Sequence, residues 1–169
     1  MRYRRGLLQL EGLTERIVPA VSIRAVDGDL LISGIANLNA GKTAQSLFIA
    51  VTADNTVQIR DGGTTSATGT DRGTYSVTGD LILNLSNRND SVIISLENGS
   101  DLDGGIVANL FNGNDSLTIR IPNNDGSSTI YGGVTVDGGN GTDQLVIDNL
   151  DAGATLDIQG GVSFNGGAG

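Results

Sequence analysis

The residues of this chain whose types and order could do chemistry are Gly138-Gly139-Asn140-Gly141-Thr142-Asp143-Gln144-Leu145-Val146. They fit the nine-residue pattern G-G-x-G-x-D-x-U-x, with U an apolar residue, at every fixed position. Glycines permit a tight turn with positive φ. Asp143 and the carbonyls around it are hard oxygen donors of the kind calcium takes, and Leu145 opens the next strand. The candidate calcium ligands in this turn are therefore Asp143, Gly139, Asn140 and Gly141. The competing reading is a plain Gly/Asp corner ahead of a strand.

The same grammar recurs upstream. Gly113-Asn114-Asp115-Ser116-Leu117-Thr118-Ile119 and Arg88-Asn89-Asp90-Ser91-Val92-Ile93-Ile94 place Asp90 25 residues before Asp115, and Asp115 28 before Asp143. A glycine step keeps the beat at Gly79-Asp80, Gly104-Gly105, Gly132-Gly133 and Gly160-Gly161. Periods of this size point to a solenoid. If the units stack, Asp90, Asp115 and Asp143 form a column about 4.8 Å apart. Unit charges at that spacing repel by roughly 0.9 kcal/mol in water. An exposed column tolerates this, and a cation between units turns it favourable. Arg88 stands at a glycine position of the first copy, so at most one weak ion site, near Asp115 and Asp143, is expected.

Positioning these turns requires strands, and alternation supplies them. Inward positions are Leu81, Leu83 and Leu85; Ile106, Ala108 and Leu110; Leu117, Ile119 and Ile121; Val134 and Val136; Leu145 and Ile147; Leu156 and Ile158; Val162 and Phe164. Weaker third strands run through Ser128–Tyr131 and Ala154–Leu156. The predicted fold is all-β: a right-handed parallel β-helix, or β-solenoid, with about three short strands per 25–28-residue coil. An antiparallel β-sandwich is the alternative. Residues 79–169 form the regular repeats. Residues 21–78 form an irregular β region at the solenoid start, with Asp27-Gly28 a two-residue turn and 61–73 a Gly/Thr-rich loop. The final residues, 164–169, repeat the pattern of 136–141 and halt before the next expected Asp, as in a truncated product or the first part of a longer array.

Composition bounds the function. The chain has no Cys and no His, which removes disulfides, thiol nucleophiles, His triads and Cys-based zinc sites. Gly numbers 26 of 169 residues and aromatics are 4%, so small aliphatic side chains must fill the core. Residues 1–20 carry four Arg against two Glu, a net of +2, and leave −11 for the rest of a chain whose total is −9. An acidic body repels phosphate backbones, so no nucleic-acid partner is expected. Gly41-Lys42-Thr43 has Ala36 where a phosphate loop needs glycine, and the nucleotide reading fails.

Leu10, Leu13 and Ile17 fall at helical spacing ahead of Pro19, which suits a short amphipathic helix. Leu8-Gln9-Leu10-Glu11-Gly12-Leu13-Thr14-Glu15-Arg16-Ile17-Val18-Pro19-Ala20 also resembles the L-x-x-L-E-x-R-x-x-P-A segment opening many planctomycete surface proteins, with Thr14 where Glu is usual. The resemblance covers 1–20 alone and implies export, hence a secreted or cell-surface location. The Gly138–Val146 segment resembles the repeats-in-toxin family, which implies calcium; there the nonapeptide recurs in immediate tandem, whereas here copies lie 25–28 residues apart.

The function these observations suggest is a non-enzymatic structural or adhesive solenoid module. Its partners would be further solenoid repeats or cell-surface components, with edge-to-edge self-association and no membrane span. A calcium-dependent folding module is the alternative. A polysaccharide-acting β-helix enzyme, using Asp101, Asp103 or Arg120, ranks third.

Overall fold

The computed structural model describes residues 21–33, 44–65, 67–122, 126–150 and 152–169. The helix expected within 1–20 and the Gly41-Lys42-Thr43 segment lie outside these. The fold is all-β, with no helix among the described residues.

The chain starts with a hairpin. β1 (Ser22–Val26) and β2 (Asp29–Ser33) pair antiparallel about Asp27-Gly28. Both turn residues have positive φ, 52° and 96°, as a type I′ hairpin requires. Beyond β2 the sheet runs parallel through β6 (Leu81–Asn84), β8 (Ile106–Asn109), β11 (Val134–Asp137) and β14 (Val162–Asn165). Leu81 faces Ile106, Ile106 faces Val134, and Val134 faces Val162. The register therefore advances by the same 25, 28 and 28 residues as the glycine steps.

A second sheet is built the same way. β3 (Ala44–Ala53), β4 (Thr56–Asp61) and β5 (Thr70–Ser76) form an antiparallel meander. β3 then pairs parallel with β7 (Asn89–Leu96), β7 with β9 (Ser116–Ile121), and β9 with β12 (Gln144–Asn149). The third, short face consists of β10 (Ser128–Ile130) parallel to β13 (Leu156–Ile158), with Leu102 bridging to Ile130.

One hydrophobic cluster joins the three faces. Leu81, Ile106 and Val134 stack in one column, Val92 and Leu117 in another, and Leu102 and Ile130 in a third; all are at most 1% exposed. Each inward side chain meets its counterpart one unit away, which is why small aliphatic residues suffice.

Two expectations need correction. Residues 70–73, expected in a loop over 61–73, instead open the strand β5, because their backbone pairs with β4; cross-strand bonding outweighs a polar composition. Ile147, Val162 and Phe164 share the inward columns by register but are 41%, 49% and 41% exposed. They belong to the outermost strands, β12 and β14, with no described strand beyond them.

Close stacking of turns explains the glycines at two positions. Gly113 and Gly141 have φ of 142° and 127°. A Cβ on Gly141 would collide with the Gly113 carbonyl of the preceding unit, and one on Gly113 with the Arg88 carbonyl. Gly141→Ala is expected to cost about 3 kcal/mol or more, since backbone must shift. Gly62, with φ 73° and open space around its Cβ position, should cost only the left-handed penalty of about 1–2 kcal/mol as Ala. Urea denaturation of the two variants compares them directly, and equal losses would refute the stacking argument.

Candidate functional site

The start of β7 and the turns entering β9 and β12 bring Asp90, Asp115 and Asp143 into one column. Asp90 and Asp115 are not displayed to solvent, at 3% and 2% exposed, and Asp143 is half-buried. The carboxylates of Asp115 and Asp143 bond to the preceding unit's backbone, and that of Asp90 to Ser86 of its own unit. Asp90 N–H donates to Asp115 Oδ1 at 2.6 Å, and Asp115 N–H donates to Asp143 Oδ1 at 2.9 Å. Asp90 Oδ2 accepts from Ser86 N–H at 2.9 Å and Ser86 Oγ at 2.8 Å.

A second column runs the opposite way, one residue earlier in each unit. Asn114 N–H donates to Asn89 Oδ1 at 2.8 Å, and Thr142 N–H donates to Asn114 Oδ1 at 2.9 Å. Asp therefore reaches back one unit while Asn reaches forward, and together they satisfy turn amides that no strand partner takes. A related device stands at the first two glycine steps, Gly79-Asp80 and Gly104-Gly105. Asp80 N–H donates to Asp29 Oδ1 and Gly105 N–H to Asp80 Oδ1, both at 2.7 Å.

The ladder leaves a residue of unsatisfied charge. Asp90 Oδ1, Asp115 Oδ2 and Asp143 Oδ2 are buried without a hydrogen-bond partner. Burial pushes the Asp115 carboxyl up to about 6, opposed by the Asp90 N–H bond and reinforced by the charges of Asp90 and Asp143. Burial also raises Asp90, against the Ser86 hydrogen bonds and the Arg88 cation. Asp115 can therefore hold a proton at mildly acidic pH.

The other predicted ligands lie in the same turn as Asp143 and are tied into the stack. Gly139, with φ 79°, accepts at its carbonyl from Ala168 N–H at 2.9 Å. Asn140 Nδ2 donates to Asn112 Oδ1 at 2.8 Å, and Gly141 N–H donates to the Ala168 carbonyl at 3.0 Å. Among the described residues, no group of three or more His, Cys, Asp or Glu side chains converges on one point; calcium can also draw on carbonyl and amide oxygens.

Asp101 and Asp103 clasp the β3–β4 turn to the body. Asp101 N–H donates to Asp54 Oδ1 at 3.1 Å, and Asn55 Nδ2 donates to Asp103 Oδ2 at 2.7 Å. Asp101 Oδ1 also accepts Thr129 N–H at 2.6 Å.

No family model, curated protein or solved structure matches this chain. Its chemistry must be read from its own side chains.

Sequence reasoning passed over Phe111. By the 28-residue register it is equivalent to Gly139 and Gly167, and all three are left-handed, with φ of 71°, 79° and 74°. A bulky residue there costs roughly 1–2 kcal/mol, and at 45% exposure Phe111 is not repaid by full burial. The signal was available as an aromatic aligned with two glycines.

The raised carboxyls have a defined sign. Between about pH 4, where unfolded Asp titrates, and about 6, where folded Asp115 does, the folded chain binds more protons than the unfolded one. Asp115 thus contributes stability that is complete below about pH 4 and lost as pH rises through about 6. Asp115→Asn keeps an Oδ1 acceptor for Asp90 N–H and removes the charge. Its melting temperature should exceed the wild type's at about pH 7.5, with the gap closing towards about pH 4. Differential scanning calorimetry measures that gap; one that does not change with pH would sink the account.

Proposed function

We propose that this chain is a non-enzymatic, right-handed parallel β-solenoid module with a structural or adhesive role outside the cell. The observation carrying this reading is the parallel register advancing 25, 28 and 28 residues per unit through the first sheet. The second sheet advances by 25 and 28, and the short third face by 28. Three faces per unit match one coil, and right-handed crossovers are the rule for parallel strands. Backbone ladders and stacked aliphatic columns give such a rod stiffness along its axis. The segment within 1–20 supports export, through its resemblance to the opening of planctomycete surface proteins. Further units of the same pattern suit the uncovered Ile147, Val162 and Phe164 of the outermost strands.

Pulling the chain from its two ends tests the load-bearing role. A solenoid should yield in steps of one unit, each releasing on the order of 95 Å of contour for 28 residues. Extension at low force without steps would refute it. Antibody labelling of intact cells carrying the protein checks the location.

A second reading, calcium-dependent folding, draws on the three buried carboxylate oxygens without partners. Thermal melts with excess calcium, excess magnesium or chelator decide it. Calcium alone should raise the melting temperature if the column is an ion site, and three coincident curves would dismiss it.

A further inference from the structure

The turn between β8 and β9 holds an aromatic ring in a place that the next two units give to glycine, and it lines a groove. The groove has a volume of about 220 Å³ and is lined by Asn109, Phe111, Asn112, Asp137, Gly139 and Asn140. Strained residues of this kind cluster at ligand clamps and active sites.

The polar lining is unbalanced. Asn109 Nδ2 donates to Asn84 Oδ1 at 2.7 Å, and Asn165 Nδ2 donates to Asp137 Oδ1 at 3.1 Å. Asn109 and Asp137 face each other in register, yet no hydrogen bond joins them: Asn109 turns its Nδ2 to Asn84, and the carboxylate has no proton to give the Asn109 Oδ1. The side-chain amide chain breaks at this one step. A parallel chain passes from Asn140 Nδ2 to Asn112 Oδ1 at 2.8 Å and from Asn112 Nδ2 to Asn87 Oδ1. It spends its donors toward the first units and leaves Asn140 Oδ1 as its terminal acceptor. The groove therefore offers a carboxylate, amide oxygens and an aromatic ring, on a chain of net charge −9.

A guanidinium is the complement of that set. It is flat enough to stack on a phenyl ring, carries five donors, and pairs bidentately with a carboxylate. We propose that the Phe111 groove is a binding site for an arginine side chain of a protein partner. Phe111 supplies the stacking surface, Asp137 the counter-charge, and Asn109 and Asn140 further acceptors. Lysine, a compact charge without a planar fork, binds less well. The site is independent of the solenoid reading, since it requires only this turn and its neighbour.

The test is a titration of isotope-labelled full-length chain, followed by amide NMR, with three probes. These are acetyl-Gly-Arg-Gly-amide, its lysine counterpart, and N-acetylglucosamine as a neutral ligand for aromatic grooves. The arginine peptide is expected to shift the amides of Phe111, Asn112 and Gly139, several-fold more tightly than the lysine peptide. Asp137→Asn and Phe111→Gly should each weaken it by about tenfold, while Tyr131→Ala, at an exposed aromatic elsewhere, should not. Phe111→Gly should also melt no lower than wild type, because glycine accepts the left-handed turn; a merely structural Phe would lower it. Shifts spread evenly over the acidic surface, wild-type binding by both groove variants, or shifts from the sugar alone would each overturn the proposal.

Discussion

Everything in this molecule depends on turns lying as close to one another as the strands do. Parallel strands sit about 4.8 Å apart, and the corners between β8 and β9 and between β11 and β12 must keep that spacing with irregular backbone. Backbone pairing between units takes some of their amides, such as those of Gly113, Asn140 and Gly141, but not those of Asn114, Asp115 and Thr142, which go to side chains. Two consequences follow. Glycine is needed where one unit's carbonyl occupies the space of the next unit's Cβ, as at Gly113 and Gly141. A short acceptor side chain is needed beside it, which is the role of Asn114 and Asp115. The Gly-x-Asp grammar is thus a solution to backbone crowding before it is anything else.

That solution has an electrostatic cost. An Asn at position 115 would accept the Asp90 N–H as an aspartate does, without placing charge beside Asp90 and Asp143. The aspartate column leaves one oxygen of each carboxylate buried and unpartnered, and burial outweighs the hydrogen bonds in setting the acidity of Asp90 and Asp115. A structure needing only corner acceptors has a neutral alternative in every unit. The neighbouring Asn89 and Asn114 show that the chain uses it one residue away.

Much of this was legible beforehand. The 25- and 28-residue beat predicted the register of all three faces, because a stacked unit must return each residue type to the same column. Asp27-Gly28 marked its hairpin, since two adjacent left-handed residues suit few other turns. Composition misled for residues 70–73, which open the polar strand β5 because β4 offers an edge. Alternation misled for Val162 and Phe164, since periodicity shows which face a residue shares but not whether another layer covers it. The depth of the Asp column was hidden for a related reason: nothing in a spacing of 25 tells whether a carboxylate turns outward or back onto the preceding unit. Phe111 was missed because repeats were read for what recurs, and its meaning lies in what does not.

The antiparallel strands at one end also set an order in time. β2 and β6 pair Leu30 with Leu81, and β3 and β7 pair Leu47 with Val92, across 51 and 45 residues. Every later closure spans 25 or 28. Doubling a loop adds about 0.6 kcal/mol to its closure, so the first layer is the entropically costly one, and the local β1–β2 and β3–β4–β5 hairpins help to assemble it. Once formed, it is a template on which each following unit can settle as soon as its residues are free. A chain emerging from its N-terminus would thus fold in the direction it is made, one layer behind its own synthesis.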